Sequence, residues 1–277
     1  MVWLLMFLGL DHTGLAVRDL EAARARFAAL GFLLTPREVL SKPGPAGTWV
    51  SSGADNHVFM MKRGYQELIT ITDPESGHML LPRLQRYWGL HIVVIGSNAV
   101  DADHDRLAEG GLAVSPCMTW GRLVSDKGQA QFRFFSVADQ DAPEAVLAVV
   151  QHLNPDILRP AELLEHPNGA AALNGCILHV ADLSEARARY ARLFGPISGD
   201  EFRFPDGTFL RLADRAALAA AFPGAEVPSA PAAAAIEIAV TRMERLIASG
   251  VRLRRSDGAY WLDPGEAFGA IFRFVQS

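Results

Sequence analysis

Three residues have the types and settings to do chemistry. His12 follows Asp11 at the end of an apolar stretch, His91 sits in the apolar run 89–95, and Glu67 interrupts an otherwise strand-like stretch, Tyr65–Ile71. An imidazole can move a proton or bind a metal near neutral pH. For His12 and His91, a hydrogen-bonded strand histidine is the structural alternative. A carboxylate in the middle of a buried strand needs a partner. Arg18 and Arg133 could hold an anion or flank strands at the surface. Trp49, Phe59 and Trp120 could line a cleft or fill the core. His166-Pro167-Asn168-Gly169 reads as a turn tying two halves together. No glycine-rich phosphate loop and no Gly-x-Ser-x-Gly elbow occurs, which disfavours nucleotide hydrolysis and serine esterase chemistry.

The elements that must position these residues come from comparing the chain with itself. Residues 15–20 and 178–183 are short apolar strands, each meeting an Asp, Asp19 or Asp182, suited to cap a helix. Leu20, Ala23, Phe27 and Leu30 in one segment match Leu183, Ala186, Tyr190 and Leu193 in the other, a helical period with one buried face. Each helix stops at a glycine, Gly31 or Gly195. A second pair also matches: strand 91–95, Arg106-Leu107 and Gly110-Gly111 correspond to strand 236–240, Arg245-Leu246 and Gly250. Along the chain the order is A, B, A′, B′, a duplicated two-module unit. Short strand signals follow every helix, at 48–51, 58–61, 65–72, 131–137, 145–152, 201–204, 208–212, 260–262 and 270–275. Residues 39–56 and 115–128 read as long polar insertions. Residues 155–169 read as the linker between halves, and 225–235 as a Pro/Ala-rich connector.

Bulk properties narrow the class. The chain has 277 residues, half of them hydrophobic, enough for one large domain or two modest ones. A net charge of −5 and no basic run argue against nucleic acid as a partner. The two cysteines, Cys117 and Cys176, have no paired spacing, which excludes a disulfide framework and favours a reducing, cytoplasmic location. Residues 2–10 read as the lead-in to a first strand rather than a signal peptide, and no run is long enough to span a bilayer.

The string from Leu10 to Leu20, LDHTGLAVRDL, resembles the opening strand and helix of the vicinal oxygen chelate superfamily. Glyoxalase I, extradiol dioxygenases, epimerases and bleomycin-resistance proteins belong to it. QHLNP at 151–155 and HPNGA at 166–170 further resemble its glyoxalase-like subgroup. The resemblance implies an α+β fold of four βαβββ modules in two pairs, with curved mixed sheets around a cleft. Residues 1–157 would form the pair carrying the site, and 158–277 a pair degenerate in ligands.

The same resemblance implies a metal site. His12 and His91 fall at the first-strand positions and Glu67 at a last-strand position. The fourth place offers only Gln151 or His152 and no carboxylate. Two imidazoles and a carboxylate with open positions suit a divalent Zn, Ni, Mn or Fe ion. A displaced Glu67 could serve as the base. By register, the third module offers Gly175 where the first has His12, and His179 is expected on the opposite face of its sheet. Two functional readings follow. One is a metal-dependent lyase or isomerase acting on adjacent oxygens of a small molecule, with a dioxygenase as a variant. The other is a metal-free protein that binds and sequesters a small molecule. The chain is expected to be a monomer or homodimer.

Overall fold

The computed structural model describes residues 7–124 and 128–277. Residues 2–6 of the lead-in and 125–127 of the second insertion lie outside the described residues. The chain opens with β1 (Phe7–Ala16), α1 (Leu20–Ala29), β2 (Glu38–Pro43), β3 (Trp49–Met60) and β4 (Tyr65–Ile71). After a short helix α2 (Leu81–Leu84) come β5 (Leu90–Ser97), α3 (Val100–Glu109), β6 (Met118–Val124), β7 (Gly128–Ser136) and β8 (Val146–His152). These eight strands close into a barrel in the order β1-β4-β3-β2-β6-β7-β8-β5. The two modules meet at β1/β5, and again where Leu40 and Ser41 of β2 face Arg122 and Gly121 of β6.

The second half follows a one-turn helix α4 (Pro155–Leu158). It contains β9 (Ala170–His179), α5 (Leu183–Phe194), β10 (Glu201–Arg203), β11 (Phe209–Ala213), α6 (Arg215–Ala221), β12 (Ala232–Val240), α7 (Met243–Ile247), β13 (Arg254–Ser256), β14 (Ala259–Leu262) and β15 (Ile271–Gln276). Its sheet runs β10-β11-β9-β12-β15-β14-β13 and stays open. Its modules join only at β9/β12, and both edge strands are three residues long. The architecture is mixed α+β, with paired modules forming two curved sheets.

The helix starts follow from local chemistry. Asp19 accepts from the Ala22 amide at 2.9 Å, and Asp182 from the Ser184 and Glu185 amides at 2.7 and 3.0 Å. α1 buries Leu20, Ala23 and Phe27, and α5 buries Ala186, Tyr190 and Leu193. Gly31 (φ +84°) turns the chain out of α1 through the left-handed region that a side chain would strain.

One core crosses both halves. Phe27 of α1 stacks against Phe272 of β15 with ring centroids 4.9 Å apart, and Phe7 of β1 meets Phe194 of α5 at 5.5 Å. The turn at 166–169 adds polar ties. His166 Nε2 donates to the Met60 carbonyl (2.8 Å) while Nδ1 accepts from the Leu33 amide (3.0 Å), and Asn168 donates to the Leu30 carbonyl (2.9 Å).

Three expectations are corrected. The insertions at 39–56 and 115–128 are largely strand, as β2, the first half of β3, and β6. Their polar residues face solvent or the barrel interior, so no apolar run marks them. The connector at 225–235 ends in the start of β12, where Ala232 to Ala235 are fully buried. Alanine is a poor strand former, but Ala234 and Ala235 pack with Leu218 of α6 and with Phe222, while Ala233 joins the shared core. His179 lies on the same sheet face as Gly175 and Ile177, because side chains alternate with period two and the β9–β11 ladder runs without a shift. No described helix is long and apolar enough to cross a membrane.

Candidate functional site

Inward-facing positions of the barrel strands line a cavity of about 90 Å³. One wall is apolar and aromatic, with Ile69, Ile92, Val94, Trp120, Phe132 and Phe134 among its residues. His12, Asn56, Tyr65, Glu67, Arg122 and His152 supply the polar contribution, and His78 also borders it.

β1 carries a bulge at the point that matters. Leu10 pairs with Ile95 and His12 with Val94, leaving Asp11 as the extra residue. Regular alternation would send Asp11 and His12 to opposite faces. Instead Asp11 Oδ1 lies 2.6 Å from His12 Nδ1, and His152 Nε2, arriving from the end of β8, lies 3.1 and 3.2 Å from the two Asp11 oxygens. Burial pushes the Asp11 carboxyl up, but the facing His152 charge and hydrogen bonds from both histidines outweigh it and hold Asp11 well below the usual carboxylate range. An ionised carboxylate only accepts, so each ring donates to it. His12 therefore donates from Nδ1 and turns Nε2 away from Asp11, while His152 donates from Nε2 and turns Nδ1 away. The His12 ring stacks on Tyr65 at 4.2 Å. Burial, reinforced by Asp11 and Glu67, pushes the Tyr65 phenol well above its ordinary value, so it stays protonated.

Glu67 faces the same cavity from β4, whose register sets Gly14 opposite Glu67 and His12 opposite Tyr65. Only 7% of Glu67 is exposed, and Asn56 Nδ2 donates to its Oε1 at 2.5 Å. That donation fixes the Asn56 amide, and its Oδ1 is then buried without a partner. Arg122 is buried in an ion pair with Glu38 at 2.9 Å, without the angle of a hydrogen bond. Burial raises the Glu38 carboxyl while Arg122 pulls it back.

The residues singled out by the sequence therefore separate. His12, Glu67 and His152 share the cavity. His91 and Gln151 do not. His91 is fully buried on the opposite face of β5, stacked on Tyr87 at 4.0 Å, with Nε2 donating to the Tyr87 carbonyl at 2.9 Å. Burial holds its pKa down at about 4, against a small upward pull from that carbonyl, so it stays neutral. Gln151 Oε1 accepts from the Val100 amide at 3.2 Å, outside the barrel.

The physical reason is register. His12 stands eight residues before Leu20, the first residue of α1; the residue equally far before Val100, the first of α3, is Ile92. The place matching Glu67 on β8 is likewise Ala148, opposite Val94 as Glu67 is opposite Gly14. Both equivalents are aliphatic. Arg18 lies over Trp88 and Arg133 pairs with Asp101 at 2.6 Å, so neither reaches the cavity. Of the three aromatics, Trp120 lines it, whereas Phe59 packs in the shared outer core.

A divalent metal of the kind the fold implies was tested against these donors. His12 fits the part, since a metal-bound imidazole commonly donates its other N–H to a carboxylate, as His12 does to Asp11. Glu67 also fits. The remaining two places, Ile92 and Ala148, offer no donor atom. Among the described residues, no group of three or more His, Cys, Asp or Glu is arranged to hold a metal ion. The donor set does not fit a four-ligand site.

Asp11, Tyr65, Asn56 and Arg122 escaped the sequence reading. Only Asp11 left a trace, as His12's neighbour, and alternation argued against it.

Comparison with known proteins agrees with the architecture. A hypothetical protein from Staphylococcus aureus superposes with a TM-score of 0.69 at 13% identity, covering 98% of this chain and all of that one. A triple mutant of 4-hydroxymandelate synthase from Streptomyces coelicolor gives 0.55 at 12% identity, over 98% and 92%. A xylose isomerase-like TIM barrel/4-hydroxyphenylpyruvate dioxygenase fusion protein gives 0.56 at 13%, over 98% of this chain and 48% of its own. At such identities the likeness is one of fold. No curated protein matches the sequence. The glyoxalase-like domain profile matches residues 10–194, two thirds of the chain. With the paired modules and the first-strand histidine in place, the chain belongs to the glyoxalase-like domain family of the vicinal oxygen chelate fold.

Proposed function

We propose that this chain is a metal-independent binding protein for a small, largely apolar molecule with one polar end, held inside the N-terminal barrel. The observation that carries this reading is that Ile92 and Ala148 stand at two of the four ligand places, in a cavity with one apolar and aromatic wall. Such a cavity, with few fixed polar groups, is the usual form of a small-molecule site. The polar groups set the orientation of the occupant, and Trp120, Phe132 and Phe134 supply contact area.

The test is calorimetric screening of small aromatic and branched aliphatic compounds before and after exhaustive chelation, beside elemental analysis of the purified protein. Binding that survives chelation is the expected outcome. One tightly held transition metal per chain, with binding lost on its removal, would overturn the reading and restore the metal-dependent lyase or isomerase.

One geometric feature favours a second reading, proton transfer. His12, held by Asp11 with Nε2 free toward the cavity, has the arrangement of an oriented general base. If it works in this way, Asp11→Asn lowers turnover of a bound carbon acid by 100-fold or more, on the order expected for a lost orienting carboxylate, while ligand affinity changes little. Equal losses in both would leave Asp11 as a binding element only.

A further inference from the structure

The charges around the cavity do not cancel, and the remainder describes the ligand. Arg122 is matched by Glu38 at 2.9 Å. Asp11 is matched by the N–H groups of His12 and His152. Among the described residues Glu67 has no paired cation: its hydrogen-bond partner is the neutral amide of Asn56. A carboxylate taken out of water is costly to ionise unless a counter-charge faces it. Arg122, the one described Arg or Lys lining the cavity, is paired with Glu38 instead.

A second observation points the same way. Asn56 spends its amide hydrogens on Glu67, and its Oδ1 is left buried with no donor. Asn56 is 2% exposed and lines the cavity beside Glu67. Glu67 is thus left with a neutral partner that has no positive charge to offer it, and its second oxygen is the acceptor next to the cavity. His78, which also borders the cavity and meets Trp120 at 5.8 Å, adds no opposing charge: burial, with a lesser push from Lys42, lowers its pKa to about 4. The opposite wall is built from Trp120, Phe132 and Phe134, ring faces that attract cations and pack flat apolar groups.

We infer that the barrel cavity selects a small organic cation, a primary ammonium on an aromatic or branched aliphatic body, with the ammonium donating to Glu67. This rests on the reading of the cavity as a ligand site and names the class of ligand. It departs from the oxygen-chelating substrates that the fold by itself would imply. A primary ammonium carries three donors on one centre, so it can pair with the carboxylate and still leave N–H groups for water or a ring face. A carboxylate of the same size would meet Glu67 as a like charge.

The experiment is titration calorimetry of the full chain, in a chelating buffer at pH 7.5, with benzylamine, benzyl alcohol and benzoate up to millimolar concentrations. Benzylamine is expected to bind at least tenfold more tightly than either of the others. In Glu67→Gln, benzylamine should lose at least tenfold in affinity, and its advantage over benzyl alcohol should disappear. Benzyl alcohol or benzoate binding as well as benzylamine would overturn the inference while leaving the cavity a ligand site. Binding of none of the three would overturn the ligand-site reading itself. The ranking on the unmodified protein stands even if Glu67→Gln fails to fold. Benzylamine binding that appears only after a divalent metal is added would also overturn the inference.

Discussion

The two halves are built from the same module and use their concave faces in opposite ways. In the barrel, strands β2 and β6 meet and seal a wall around an open cavity. In the second half the edge strands never meet, and α6 with the segment behind it fills the concave face. Leu218 and Phe222 pack there with Ile177, Phe209, Trp261 and Ile271. The carboxylates draw the same contrast. Glu237 on β12 is 7% exposed, as Glu67 is, but Glu237 is paired with Arg273 of β15 and accepts from Asn174 at 3.2 Å. A buried carboxylate with a built-in cation is part of the framework. One without it is waiting for something else.

That contrast can be broken most directly by removing the plug. Phe222 is 1% exposed and meets Trp261 edge-on at 5.5 Å. Phe222→Ala should cost about 3–5 kcal/mol, the usual range for emptying a buried aromatic position, as read by urea denaturation. A cost below 1 kcal/mol would mean that α6 does not hold the second sheet together. Next in size is the pair of carboxylates. Arg273→Met should destabilise by about 2–4 kcal/mol, since removing one partner of a buried ion pair strands the other, discounted because Arg273 keeps a fifth of its side chain exposed. Glu67→Gln should leave stability within about 1 kcal/mol of the parent, or raise it, because it removes a buried charge with no cation beside it. Equal losses in the two variants would erase the distinction between framework and site.

Much of the framework was legible because it rests on local rules. The matched helices at Leu20 and Leu183, their Asp caps and their glycine stops all fall within about a dozen residues of sequence. The site was legible only in part. His12 and Glu67 were reached through the family resemblance, which assigned them to first- and last-strand positions, and not through local alternation, since β1 is bulged at Asp11 and β4 is buried on both faces. His91 could not be placed, because both faces of β5 are buried: Val93 and Ile95 pack in the outer core, Ile92 and Val94 in the cavity. Such a strand shows no alternation, and a one-residue slip exchanges its faces. Asp11 was hidden by the bulge that turns it toward His152, a contact 141 positions away in sequence. The strands at 38–43 and 118–124 were hidden because barrel closure, rather than local apolar pattern, fixes them.

The last expected effect appears only in acid. Three histidines of the first module pair and its linker, His78, His91 and His166, are held neutral mainly by burial, the first two with pKa values of about 4. In the unfolded chain each returns to about 6.5. Between those values the unfolded state binds more protons than the folded one, so stability rises with pH across the window and is lost as pH falls from about 6.5 to about 4. His78 isolates the cavity's share, since its Nδ1 accepts from the Leu80 amide at 3.3 Å, a role an asparagine can keep without titrating. His78→Asn should therefore change stability at pH 7 by less than about 1 kcal/mol. It should also reduce the loss between pH 7 and pH 4.5 by about 2 kcal/mol, because each pH unit between the folded and unfolded pKa values is worth about 1.36 kcal/mol. Urea midpoints at the two pH values measure both quantities. An unchanged loss would move the acid sensitivity away from the cavity, to His91 and His166, and would remove the argument that His78 stays uncharged beside a bound cation.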